Sequence, residues 1–143
     1  MAAAYTEGAA GFTTPAATSI TCTVQPGAGR KMLLAVGLNE SDADHGFNAP
    51  KLSAGGADAG WTAFSPGEAD ATNLACAAWW KDSDGTEGTT VVVEIADAAS
   101  KKMCYVSGYA TGVATGAPTD TPVTETGTAT TLGGGSITPG AAG

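Results

Sequence analysis

Four groups of residues in this 143-residue chain have types and spacings that could do chemistry. The first is Asp42, Asp44 and Asn48 around His45, the sole histidine. Side-chain oxygens at short intervals along a loop are how calcium is held. The full calcium-loop spacing is absent here, and no bidentate Glu follows at the required offset, so a solvated acidic loop is the plainer account. The second group is carboxylates. With fourteen Asp and Glu, chance pairs are common, and Asp82 with Asp84 in one turn is no evidence of glycosidase chemistry. The third is Cys22, Cys76 and Cys104. They are odd in number, lie in apolar strand-like runs and match no zinc spacing. They are expected to be buried, reduced thiols acting as small hydrophobes, with a disulfide between two of them as the alternative. The fourth is Trp61, Trp79 and Trp80. Exposed rings could stack on a sugar; buried ones would build a core or an interface. Neighbours on a strand point opposite ways, so at most one of Trp79 and Trp80 belongs to the core. The lone histidine has no Ser or Cys elbow to serve, and no nucleophile, base or metal constellation stands out. The chain therefore reads as no enzyme, with no catalytic residue, no cofactor and no metal site.

The elements that would position these groups are strands. The longest apolar run is Lys31 to Leu38, between the turn Pro26-Gly27-Ala28-Gly29 and the acidic segment Glu40 to His45. Eight residues is strand length. Met32, Leu34, Val36 and Leu38 share one face by the two-residue period. Leu33 and Ala35 on the other face are also apolar, so this strand is expected to be covered on both sides or to lie centrally in its sheet. Leu74 to Trp80, Val91 to Ile95 and Met103 to Ala110 have the same character. Thr18 to Gln25 alternates, with Ile20, Cys22 and Val24 on its buried side. Lys51 to Ala54 is expected as a short strand and Trp61 to Phe64 as another short strand or an edge, with Ser65 to Ala71 as an acidic loop. The predicted core is Ile20, Val24, Met32, Leu34, Val36, Leu38, Val91, Val93 and Ile95. The 21 Gly, seven Pro and many Thr suit short strands and tight turns and disfavour helices.

The ends differ in composition. Residues 1–17 are mostly Ala, Gly and Thr and read as an N-terminal arm. Residues 18–125 read as one domain, and 126–143 as a Gly/Thr-rich C-terminal arm. The arms have too few large apolar side chains to offset the entropy of ordering, so they are expected to find order against another surface. Tyr5 and Phe12 are the candidate anchors of the first arm. Ser136, Ile137 and Thr138 are the candidate contact of the second, adding a strand to a neighbour's sheet edge. These five are the expected assembly contacts.

Charge and hydropathy limit the partners. The formal charge is −8. That disfavours nucleic acid, which needs a basic patch, and an anionic membrane surface. No run approaches the roughly 20 apolar residues of a spanning helix. The start, Met1 to Gly8, lacks the basic and apolar parts of a secretion signal, so synthesis in a cytosol is expected. The sequon Asn39-Glu40-Ser41 is then incidental.

The order of motifs resembles a β-sandwich family common in phage virion proteins and secreted bacterial proteins. Gly29-Arg30-Lys31-Met32-Leu33-Leu34-Ala35-Val36 is similar to that family's opening of glycine, basic residue and leucine-leucine-valine. Its double-glycine turn corresponds to Leu52-Ser53-Ala54-Gly55-Gly56. Its Trp-aromatic strand end corresponds to Ala77-Ala78-Trp79-Trp80. Its Gly-Thr turn and Val-rich strand correspond to Gly88-Thr89-Thr90-Val91-Val92-Val93, and its late Gly-Val before Pro and Asp to Gly112-Val113 with Pro118 and Asp120. The likeness covers about residues 18 to 125. It implies an all-β, antiparallel, jelly-roll-like sandwich of structural or adhesive type, and no catalytic residue carries over. Related modules continue through another strand after a segment like Ser136-Ile137-Thr138-Pro139. This chain stops there, so the sandwich is expected to have an open edge or to lack a strand, and an open edge is an aggregation hazard unless something covers it.

Together these readings lead us to expect a structural bacteriophage protein, a capsid decoration (cement) protein on the capsid exterior. It would be made in the host cytoplasm, and its partners would be the major capsid protein and copies of itself. A tail or fibre component, or a carbohydrate-binding or adhesive module, is the alternative.

Overall fold

A computed structural model describes residues 3–39, 46–71 and 74–116. They form seven strands and, among the described residues, no helix: β1 (Ala4–Phe12), β2 (Ser19–Thr23), β3 (Arg30–Asn39), β4 (Thr62–Ala71), β5 (Leu74–Ser83), β6 (Thr90–Glu94) and β7 (Met103–Thr111). Five make one antiparallel sheet in the order β1-β7-β3-β5-β4, and β2 pairs with β6 in a second. The apolar run Lys31 to Leu38 is thus the centre of the larger sheet, paired along its whole length with β5 on one side and β7 on the other.

The two sheets share one core. Met32, Leu34, Val36 and Leu38 of β3, with Ala75, Ala77 and Trp79 of β5 and Met103 of β7, pack with Ile20, Cys22, Val24, Val91, Val93 and Ile95 from the β2–β6 side. All nine residues predicted for the core are buried. A strand period of two fixes this: one register slip would turn every one of those side chains outward.

β1 is where the structure departs most from the sequence reading. Residues 1–17 were expected as an arm, yet Ala4–Phe12 is an edge strand paired with β7. Backbone pairing does not require large side chains, and here the small ones are needed. Gly11 lies under the Tyr105 ring; a Cβ there would come within 2.6 Å of a ring carbon. Between Glu7 and Ala10 two β1 residues, Gly8 and Ala9, face the single Ser107, which is a β-bulge. The buried Ser107 hydroxyl holds it by accepting from the Ala9 N–H (3.1 Å) and donating to the Thr23 carbonyl on β2 (2.7 Å). Thr13 extends the tie, its N–H reaching the Met103 carbonyl at 2.8 Å and its hydroxyl accepting from the Met103 N–H at 2.9 Å.

Two further corrections concern the middle of the chain. Lys51 to Ala54 is no strand. Lys51 makes isolated bridges to Asp58 and Val92, and Leu52 is exposed. The segment is fixed instead by Glu94, whose carboxylate accepts from Lys51 Nζ and the Gly55 N–H, both at 2.5 Å. Gly55 sits at φ +66°, a conformation that suits glycine. Trp61 is not in a strand, and Ser65 to Ala71 is no loop: Thr62–Ala71 is a single strand with a register shift between Ala63 and Glu68. Ser65-Pro66-Gly67 looks like a turn, but proline is tolerated at a bulge on an edge strand, and β4 is an edge. The C-terminal arm, 126–143, and the last part of the expected domain, 117–125, lie outside the described residues.

Candidate functional site

The larger sheet has a second face, turned away from the core. Its composition follows from the register. One row across the sheet reads Phe12, Cys104, Gly37, Cys76; the next reads Ala10, Val106, Ala35, Ala78; then come Glu7, Gly108, Leu33 and Trp80, and last Tyr5, Ala110, Lys31 and Asp82. This outer face is apolar or small nearly throughout. Its charges in these rows are Glu7 and the pair Lys31–Asp82, joined at 2.6 Å. Tyr5 is 60% exposed, Phe12 78% and Val106 44%. Apolar groups grouped in this way on a surface mark a place for contact with something else.

A groove of about 170 Å³ runs across it. Leu33, Ala35, Ala78 and Val106 line the floor, and Tyr5 and Phe64 from the two edge strands form the walls. Small residues on the three middle strands create the depression. Gly108 allows Tyr5 to lie flat, its hydroxyl 2.5 Å from where a Cβ on residue 108 would stand. The lining is mostly apolar carbon, so the groove suits an apolar side chain or ring.

Lys31 lies on the same outer face, in the row of Tyr5 and Asp82. Its ammonium stands 4.2 Å from the centre of the Trp80 ring, bonds Asp82, and donates to the Gly116 carbonyl at 2.6 Å. Asp82 also accepts from the Gly116 N–H at 2.6 Å. Burial pushes the Asp82 carboxyl up, but the hydrogen bonds from Gly116 and Lys31 and the Lys31 charge outweigh it and hold the group below its usual value. The described chain therefore ends, at Gly116, on this outer face.

The structure sorts the chemistry-bearing residues as follows. Trp61 and Trp79 are in the core, with Phe47 edge-on to Trp79. Trp80 points to the outer face, as strand parity requires, yet it too is buried, under Lys31. None of the three rings is free to stack on a sugar. Cys22 is fully buried, and burial pushes its thiol up to about 12. Cys76 and Cys104, expected as buried, are exposed on the outer face because their strand positions point away from the core. All three are free thiols. Cys76 and Cys104 flank Gly37 on the strands either side of β3, about 9.5 Å apart at two strand spacings, beyond the reach of a disulfide.

Asp42, Asp44 and His45 lie outside the described residues. Asn48 is described, and its side chain bonds the Glu94 carboxylate. Among the described residues no three His, Cys, Asp or Glu side chains are grouped to hold a metal. Of the expected assembly contacts, Tyr5 and Phe12 stand on the outer face of β1, and Ser136, Ile137 and Thr138 lie outside the described residues. The sequence reading did not isolate the outer face as a unit. Its signal was present in Leu33 and Ala35, apolar on the second side of the central strand, but the partners in their rows depended on pairing that only the structure supplies. Comparisons with family models, with curated proteins and with solved structures found no match.

Proposed function

We propose that this chain is a structural bacteriophage virion protein, a capsid decoration or cement protein on the capsid exterior, whose partners are the major capsid protein and further copies of itself. In this reading the seven strands belong to a jelly-roll-like β-sandwich, and the C-terminal residues form an extended arm. The observation that carries the proposal is the outer face of the five-stranded sheet. It is broad, apolar and nearly uncharged in a chain of net charge −8. A surface of that kind suits packing against protein, and the acidic remainder suits an outward surface kept away from packaged DNA. The buried tryptophans weigh against a sugar-binding platform.

The test is to add the full chain to capsids stripped of exterior proteins and measure copies bound per particle. Saturation at a fixed ratio to the major capsid protein is expected. Binding to tails or fibres alone would move the chain to those parts of the virion. Binding to a glycan array without any binding to particles would replace the proposal with an adhesive module.

A further inference from the structure

Two features of the outer face match each other in size. One is the groove of about 170 Å³ between Tyr5 and Phe64. The other is Phe12, the most exposed large apolar side chain among the described residues at 78%. An apolar cavity of about 150 Å³ holds a benzene ring, so the groove has room for one phenyl group. Phe12 cannot fill the groove of its own chain. It stands on edge strand β1 in the row of Cys104, pointing outward, and the groove centres on Leu33 and Ala35, two strands away.

We propose that a second copy of this chain covers the outer face, each copy seating its Phe12 ring in the groove of the other. The proposal rests on the assembly reading above and names the partner of that same face. A two-fold contact needs a surface complementary to itself, in which one residue meets a second and the second meets the first. A projecting ring and a ring-sized groove on one face meet that condition. The axis exchanging them falls midway, beside Val106 and Cys104 on β7, so the exposed Val106 side chains of the two copies meet at the centre.

The size of the contact fits a second copy that associates weakly. Five strands about 4.8 Å apart and about nine residues long, at about 3.3 Å per residue, span about 700 Å², of which a two-fold axis beside β7 covers roughly half, the size of a transient, concentration-dependent contact. Two chains of charge −8 repel elsewhere on their surfaces, but here Lys31 is neutralised by Asp82. Glu7 is then the one charge in the rows set out above with no partner among the described residues.

The experiment is sedimentation of the full chain across a concentration series, with Phe12→Ser and Ala78→Trp. A species of twice 13.9 kDa is expected to grow with concentration. Loss of an aromatic anchor seated in the partner's groove should weaken self-association at least about tenfold in Phe12→Ser, and filling the groove in Ala78→Trp should do the same. An equal mixture of the two variants should regain a dimer, because Phe12 of one still meets the open groove of the other. Ala35→Phe serves as a second groove filler should Ala78→Trp not fold. A full chain that stays at 13.9 kDa at every concentration overturns the inference, and so does a dimer that Phe12→Ser leaves unchanged. A monomeric chain that still saturates capsids overturns this inference alone. A dimer with the expected variant pattern that never binds a particle upholds it and contradicts the assembly reading.

Discussion

Lys31 covers Trp80. The ammonium sits 4.2 Å from the ring centre, and both residues lie on the outer face of the central sheet, yet both are buried. A charge is tolerated there because Asp82 and the Gly116 carbonyl bond it, and because an aromatic face attracts a cation. Removing only Asp82 leaves a buried cation short of its counter-ion. Asp82→Ala is therefore expected to destabilise by about 1–3 kcal/mol. Lys31→Met, which keeps an unbranched apolar stem over Trp80, should cost less. Denaturant melts of both variants check the order, and a larger loss in Lys31→Met would contradict it.

Leu34 tests the register. It is 2% exposed, at the middle of the central strand. Leu34→Ala is expected to cost about 2–5 kcal/mol through lost burial and a residual cavity. An unchanged melting curve would place the side chain on the other face.

Ser107 ties three strands. Its hydroxyl takes the Ala9 N–H of the β1 bulge and gives its proton to the Thr23 carbonyl. Ser107→Ala leaves both backbone groups without that partner, at about 1–3 kcal/mol. Because β1 is an edge strand, the loss should be concentrated there. Amide exchange in residues 4–12 should quicken more than in β3, and equal quickening in both would assign Ser107 a general packing role.

Acid should loosen the ties made by carboxylates. The Glu94 carboxyl is held below its usual value by the hydrogen bonds from Lys51 and the Gly55 N–H, and Asp82 is lowered as well. A group whose folded pKa is depressed contributes stability above its unfolded value, and that stability is lost as pH falls through the folded value. Stability is therefore expected to hold from neutral pH down to about 4.5 and to fall below it, as the usual Glu and Asp values are passed. Glu94→Gln should flatten part of that fall, and an unchanged slope would remove Glu94 from the account.

Thiol labelling separates the cysteines. In dilute native solution Cys76 and Cys104 should both react with a maleimide, and Cys22 only after unfolding, since it is buried and its thiol is pushed up to about 12. Intact mass before and after denaturant counts the adducts. Native labelling of Cys22 would mean that the core opens on the time scale of the reaction.

Much of this fold was legible because its signal is local. Met32, Leu34, Val36 and Leu38 alternate with a period of two, and that alternation alone predicts the buried face of β3. The same holds for Ile20, Cys22 and Val24. β1 was illegible because its residues are small, and its order comes from backbone bonds to β7 and a hydroxyl about a hundred residues away in sequence. β4 was illegible as one strand because Ser65 to Ala71 is polar and acidic enough for a loop, whereas a register shift within an edge strand accommodates Pro66 and Gly67. The outer face could be recovered only in part: Leu33 and Ala35 announced a second apolar side, but Phe12, Cys104, Gly37 and Cys76 fall into one row only once four strands are paired. Strand parity also separated Trp79 from Trp80, but it could not show that Lys31 folds over Trp80 and buries it.

The central claim is that the outer face of the five-stranded sheet is an assembly surface on a virion. The most direct measurement is an electron cryomicroscopy reconstruction of the mature particle at side-chain resolution. The account predicts density for this chain on the capsid exterior, with Tyr5, Phe12 and Val106 buried against another protein subunit. A particle in which the chain is present but those three side chains face solvent, or one that lacks the chain altogether, would contradict it.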